Sequence, residues 1–314
     1  MGIGITHSGY AQKKEDFKAA VVVSSDNDAF VFWQNSDQFY TFGAGIKTMI
    51  KSQRFLGLEK LFSQKKDYFF DFELRSEGFT SSNRYVSEIQ VENDSIFFDR
   101  PFAGLLFGTT AATYTFEKSF IRGELLLGVM GPSSYAREIQ DWVHSQITGD
   151  GLLDGWDFQI PDQLILNLNL TAYHDLIPFS EHFDVFTGAN ARMGNLYMDA
   201  SPILGIRIGK FGPLATTTAF GNDLLSPGSL KEFYIKSTFS TTFTAFNGTA
   251  QGNLFKRDFE YAVEDLNQVH FSMSHGVYLK VRRYSLGFDH VFNYGKVIKG
   301  SRHVYGRIAF VHRF

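Results

Sequence analysis

The 314-residue sequence has no cysteine and only seven prolines. Without thiols there is no disulfide framework, no thiolate metal site and no cysteine nucleophile, and the redox compartment is not set by cysteine. An excess of charge of one sign is also missing: 30 Lys and Arg face 33 Asp and Glu, a formal net charge of −3. No general field therefore draws in a nucleic acid, and any polyanion would need a local patch. Apolar runs such as Ala19–Val23 are far too short to cross a bilayer as a helix, which takes about 18 residues or more. Met1–Gln12 lacks the charged start and apolar segment of a secretory signal, while Tyr10-Ala11-Gln12 fits the stub of a cleavage site. The chain thus reads as a processed or re-engineered mature form, and a cytoplasmic location does not follow. Also absent are Gly-x-Ser-x-Gly, His-Glu-x-x-His, the P-loop and the Rossmann glycine pattern.

What is abundant is aromatic and apolar: 34 Phe and 14 Tyr, with 44% hydrophobic residues overall. These residues alternate with polar ones at period two in segments of about 10 to 16 residues, longer than the 5 to 6 usual for soluble strands. Between 163 and 173, Leu164, Leu166, Leu168, Leu170 and Ala172 form one face, and Gln163, Asn167, Asn169 and Thr171 the other. The same split sets Tyr68, Phe70, Phe72 and Leu74 against Asp71, Glu73 and Arg75, and Phe233, Ile235, Phe239 and Phe243 against Lys236, Thr238 and Ser240. An apolar outside around a polar interior is the pattern of a transmembrane β-barrel.

Strands are predicted near 18–33, 39–50, 66–78, 102–116, 119–131, 160–176, 181–195, 199–210, 231–246, 267–281, 283–296 and 302–314. Twelve is an even number, as a single-chain outer-membrane barrel requires, and the last strand ends on Phe314. The polar stretches 51–65, 79–100, 132–159, 211–230 and 247–266 are expected as extracellular loops. One of them differs: Gly131-Pro132-Ser133-Ser134 is a stop-and-cap signal, and Tyr135–Gln146 has helical spacing, with Ile139, Trp142, Val143 and Ile147 apolar. Gln140 and His144 stand one turn apart on its other side. An interfacial helix at a barrel rim fits this mixture. With no repeat or linker, the chain is expected as one domain over 1–314, with an N-terminal extension at 1–17 and a helix-bearing loop at 132–159.

Asn and Asp are depleted in strands, so Asp26-Asn27-Asp28 within the first strand points to a bound cation or a paired base. A lumen-facing polar cluster or a loop end is the alternative. Strict alternation sends Asn27 and Asp28 to opposite faces, so a shared site requires a bulge or a backbone carbonyl ligand. His144, with Gln140 one turn before it and Asp150 six residues after, is the candidate base, since neutral imidazole takes a proton from water near pH 7. No local motif places a serine beside it, so water is the favoured nucleophile. A hard, oxygen-bound cation such as Ca²⁺ would then hold the developing oxyanion.

Six elements in order carry a family resemblance: Asn27-Asp28-x-Phe30; Tyr40-Thr41-x-Gly43; Asp99-Arg100-Pro101-Phe102-Ala103-Gly104; Gly128-Val129-Met130-Gly131-Pro132; Gln140-x-x-x-His144; and Gly155-Trp156-Asp157-x-Gln159. Together they resemble the outer-membrane lipid A 3'-O-deacylase family. The motifs span about 26–160, with Phe102 standing where the family commonly has Tyr. The resemblance implies a twelve-stranded, all-β antiparallel barrel in a Gram-negative outer membrane, with a short helical insertion on the extracellular side. It further implies calcium-dependent hydrolysis of the ester holding the 3'-acyloxyacyl group of lipid A, by a phospholipase A2-like mechanism. His144 would be the base, Asn27 and Asp28 the cation and oxyanion site with Asp28 as metal ligand, and Thr41 their neighbour. Gln140, Asp150 and Arg84 would face substrate, with Arg84 gripping a lipid A phosphate. Lipopolysaccharide and outer-membrane lipid are the implied partners, no nucleic acid is expected, and a monomer is the expected state. Two rivals stay open: an outer-membrane phospholipase A-type hydrolase using a Ser-His pair, and a non-enzymatic pore with Asn167, Asn169, Arg192 and Lys236 in its lumen.

Overall fold

The computed structural model describes residues 17–31, 39–82, 91–92, 95–96, 98–149, 151–178 and 180–314. Among them twelve strands close into one antiparallel barrel. They are β1 (Ala19–Asn27), β2 (Phe42–Ile50), β3 (Asp67–Phe79), β4 (Ala103–Thr115), β5 (Ser119–Met130), β6 (Gln163–Asp175), β7 (Phe183–Gly194), β8 (Tyr197–Lys210), β9 (Glu232–Asn247), β10 (Val269–Val281), β11 (Tyr284–Tyr294) and β12 (Arg302–Arg313). A two-residue ladder, Val91–Glu92 with Ser95–Ile96, lies in the β3–β4 connection. β1 pairs with β12, so the sheet has no edge and its backbone polar groups are satisfied within the ladder, as hydrocarbon requires. Lys18 donates its backbone N–H to the Phe314 carbonyl, and Phe314 donates to Ala19, both at 2.9 Å, so the terminal Phe fastens the seam.

All twelve predicted strands are present. The first ends at Asn27 instead of 33, because the Asn27 side chain accepts the Ala29 N–H at 2.7 Å and turns the chain into the single turn Asp28–Phe30. Alternation is maintained along the wall. Leu164, Leu166, Leu168 and Leu170 face outward and are exposed, while Asn169 faces inward and donates to Glu124 at 2.9 Å. The interior is a set of charge pairs: Asp26 between Arg75 and Arg307, Arg122 between Asp71 and Glu124, Arg207 with Asp184, and Lys236 with Asp289.

Antiparallel alternation fixes which loops share an end. The connections 28–41, 80–102, 131–162 and 248–268 lie at the end away from the chain termini; as the longer set, they mark the extracellular rim. Segments 51–66 and 211–231 lie at the opposite end, which corrects their expected extracellular placement. Both fold back on the barrel. Segment 211–231 enters the lumen, where the Phe220 ring packs on Tyr173 at 4.9 Å and Phe186 at 5.1 Å. Glu232 accepts from Gly212 N at 2.9 Å and Thr217 Oγ1 at 3.0 Å and pairs with Lys280 at 3.1 Å. Arg313 donates to the Asp223 carbonyl at 2.8 Å. Segment 51–66 instead covers the outer wall. Phe70, expected to face lipid, is fully buried beneath Phe55, whose ring lies 4.7 Å away.

At the upper end the lumen is filled by Tyr40, Phe79, Leu105, Phe107, Leu126, Met130 and Leu196. Between this cluster and the plug lies a cavity of about 690 Å³ lined by the charged ladder. A filled interior speaks against the pore reading. Lys280→Met, which strands Glu232 without its buried cation, is expected to destabilise the barrel by about 3 kcal/mol. The thermal midpoint of its gel-mobility shift reads this loss, and the Lys280→Met/Glu232→Gln double variant should recover most of it.

Candidate active site on the outer rim

Which wall a residue faces follows from parity. Ser24 lines the lumen cavity, Asp26 is bound by lumenal Arg75, and Val23 is exposed on the outside, so Asn27 points outward from the last position of β1. Asn27 is in register with Phe42, Phe42 with Gly78, and Gly78 with Gly104. Four strands at 4.7–4.9 Å spacing make this outward row about 14 Å long. Two of its members are glycines because other groups occupy their side-chain space. A Cβ on Gly78 would collide with the Phe42 ring, and one on Gly104 with Ser134 and Ala136.

Ala136 opens the predicted helix, α1 (Ala136–Val143), which therefore lies against the outside of the rim and not in the lumen. It is entered through the turn Pro132–Ser134, where Ser134 Oγ donates to the Gly131 carbonyl at 2.6 Å and accepts from Ala136 N at 3.4 Å. After Val143 the helix widens into a π-type turn, His144–Thr148, which Gly149 ends at φ 76°. Such widened turns recur at functional sites. Beneath α1, the rings of Phe98, Phe102 and Trp156 form a buried cluster with Ala136 and Leu153, edged by Phe42, Phe158 and Tyr261.

This cluster sets Gln140. Trp156 is 1% exposed and its Nε1–H donates to Gln140 Oε1 at 2.7 Å. Indole nitrogen can only donate, so the amide orientation is fixed and Nε2 is the free donor end. Gln140 is 3% exposed, and among the described residues its Nε2 has no hydrogen-bond partner. A buried amide donor left over in this way is open to a water, an ion or a ligand oxygen. One turn on, His144 is half-exposed, and its Nδ1 lies 2.8 Å from the Gly151 carbonyl. A carbonyl only accepts, so Nδ1 carries the proton and Nε2 keeps the basic lone pair.

The acidic side of the site is on the same rim. The turn Asp28–Phe30 folds outward, with Phe30 against Gly306 and beside Phe288 on the outer wall. Asp28 thus lies in a turn, which removes the alternation constraint separating it from Asn27. Thr41 extends the β2–β3 ladder through its N–H to Gly78 O at 3.0 Å, and its hydroxyl shares a 2.7 Å bond with Thr80. Asp26, first of the acidic triplet, is no part of this group: it is buried in the lumen, where Tyr40 OH donates to it at 2.9 Å. Arg84 and Asp150 lie outside the described residues. Among the described residues no cluster of three His, Asp or Glu gathers. Asn27 Oδ1, the Asp28 carboxylate and Thr41 Oγ1 are oxygen donors of the type a hard cation takes; Asn27 Oδ1 already accepts from Ala29 N and Thr41 Oγ1 shares its bond with Thr80.

Arg100 ties the rim together. It is buried against the Phe79 ring and donates to Phe39 O at 3.1 Å and to Thr249 O and Oγ1 at 3.0 Å, joining three extracellular connections. Burial pulls its pKa down to about 10. Asp99, its neighbour in the chain, accepts from Ser81 Oγ at 2.6 Å and Ser82 N at 3.1 Å. Below Arg100, Lys296 borders the lumen cavity, its pKa pushed down to about 8 by burial and by Arg192 and Arg100. None of Asn27, Asp28, Thr41, Gln140 and His144 lines that cavity.

Two contacts escaped the sequence reading. The hold of Trp156 on Gln140 across 16 residues leaves no periodic trace; the carbonyl of Gly151 has no side-chain signature at all. A Ser hydroxyl meets a His ring elsewhere in the wall, Ser237 Oγ and His275 Nδ1 lying 3.0 Å apart. It lies mid-wall, with His275 between the exposed Met273 and Val277.

The fold has a clear relative. LpxR from Salmonella typhimurium matches 94% of this chain and 100% of its own at TM-score 0.71 and 15% identity. The β domain of the Bordetella autotransporter BrkA covers 96% of this chain and 99% of its own, at TM-score 0.45 and 9% identity. No curated protein matches by sequence. The family model for outer membrane protein LpxR matches residues 2–314, and the chain, a Gram-negative outer-membrane barrel, belongs to the LpxR family.

Proposed function

We propose that this protein is a lipid A 3'-O-deacylase that draws its substrate sideways from the outer leaflet. The observation that carries this reading is the placement of the site: Asn27 and the Gln140–His144 helix are on the outside of the barrel, away from the lumen cavity. A substrate reaching them comes along the membrane. Tyr135, Ile139, Trp142, Ile147 and Leu152 are exposed on the helix-bearing loop, an apolar surface continuous with the outer wall and suited to acyl chains.

The chemistry follows from the two fixed side chains. His144 Nε2 takes a proton from water as the water oxygen attacks the ester carbonyl carbon. Gln140 Nε2–H, its partner missing and its direction set by Trp156, donates to the oxyanion that forms. The carbon–oxygen bond to the sugar then breaks, and His144 returns the proton to the departing 3'-oxygen, giving an acyloxyacyl acid and a free 3'-hydroxyl. Ca²⁺, which Asp28 and the Asn27 amide oxygen would hold, would supply positive charge to stabilise an oxyanion. Arg84 and Asp150 keep their proposed substrate-facing roles. The phospholipase A-type rival relies on a Ser-His pair. The Ser237–His275 pair lies in the middle of the apolar band, about 15 Å from where lipid esters reside.

Three outcomes test this reading, the first by mass spectrometry of lipid A from a hexa-acylated strain making the protein and the other two by the turnover of purified protein. The wild type should remove the 3'-acyloxyacyl mass, and His144→Ala should leave lipid A intact while its barrel folds. Retained turnover in His144→Ala removes it from the base role. Trp156→Phe keeps the ring packing but frees the Gln140 amide, and should lower kcat by roughly tenfold to a hundredfold with little change in KM. Chelation of divalent cations should stop turnover by purified protein and added Ca²⁺ should restore it; unchanged turnover under chelation would exclude the cation.

A further inference from the structure

Segment 51–66 is built as a foot on the outer wall at the end opposite the active site. Tyr68, Phe70 and Phe72 share the outward parity of β3, and the loop folds up over them. The Phe55 ring lies 4.7 Å from Phe70 and 5.7 Å from Phe72, and Phe62 lies 5.1 Å from Tyr114. Tyr114 OH donates to Leu58 O at 2.9 Å, and Glu59 Oε2 accepts from Phe55 N at 2.9 Å. These anchors hold two non-glycine residues in left-handed backbone, Leu56 at φ 53° and Phe62 at φ 56°. The result is an exposed apolar tip: Leu56 is 90% exposed, and Leu61 and Phe62 are each 47% exposed.

Around this tip the charge is mainly of one sign. Lys51, Arg54, Lys60, Lys65, Lys66 and neighbouring Lys118 face three acids. Of these, Glu59 serves the loop backbone, while Asp67 and Glu117 pair with Lys51 and Lys66 at 3.3 and 3.6 Å. Arg54 and Lys60 are exposed. An apolar tip inside a basic rim, continuous with the lipid-facing wall, has the chemistry of a membrane interface and not of a water-facing turn. We infer that this foot seats in the inner leaflet of the outer membrane and binds the headgroups of anionic phospholipids there.

The cysteine-free chain makes a single label site straightforward. A Leu56→Cys variant carrying a bimane fluorophore is placed in lipid nanodiscs, with folding checked by the gel-mobility shift. Brominated phosphatidylglycerol should quench the label at least twofold more than brominated phosphatidylcholine at equal mole fraction, and aqueous iodide should quench it weakly. The Arg54→Gln/Lys60→Gln background should bring the two lipid signals to equality. Strong iodide quenching without lipid quenching would overturn the inference and leave the foot a water-facing surface. Equal quenching by both lipids in the parent would overturn headgroup recognition. Neither readout depends on hydrolysis.

Discussion

The constraint on which everything else depends is that hydrocarbon offers no hydrogen-bond partner to a peptide group. A sheet survives there only by closing, and closure in this chain fastens β1 to β12 with every residue committed to one wall. Parity then separates chemical roles between adjacent positions. Asp26 goes inward to two arginines and Asn27 outward to the rim, although they are neighbours in the chain. The candidate-site face and the structural ladder are thus two sides of the same strands.

Proximity at the rim is achieved by omission. Gly78 and Gly104 lack side chains, and into the vacated space come the Phe42 ring and the start of α1. That close seating brings the helix onto the wall, and the aromatic cluster below it carries Trp156 to Gln140. One hydrogen bond from an indole that can only donate decides which end of the amide is offered. A second, to a carbonyl that can only accept, decides which imidazole nitrogen is basic. The orientation of both side chains is imposed by neighbours that have no reactivity themselves.

Much of this was legible beforehand because period-two alternation is a local signal. Leu164 to Leu170 announce a wall without any knowledge of their neighbours, and the strand count follows. The helix was legible from its cap signal and from Ile139, Trp142 and Ile147. Less visible were the directions in which connections fold. Segments 51–66 and 211–231 are polar like extracellular loops, and nothing in composition says that one enters the lumen and the other climbs the outside, burying Phe70. The Asp26-Asn27-Asp28 triplet was ambiguous because its resolution depends on a turn made by the Asn27 side chain. The Gln140 and His144 partners depend on tertiary contacts, one of them to backbone.

The filled interior bears on how many copies a cell can carry. A barrel that worked through its lumen would have to open it, and each copy would be a potential breach for hydrophilic toxins. Here the lumen is occupied by Phe220 and its neighbours at one end and by Tyr40 and Phe79 at the other. The candidate site is on the exterior. A site so placed lets the abundance of the protein rise without opening the envelope.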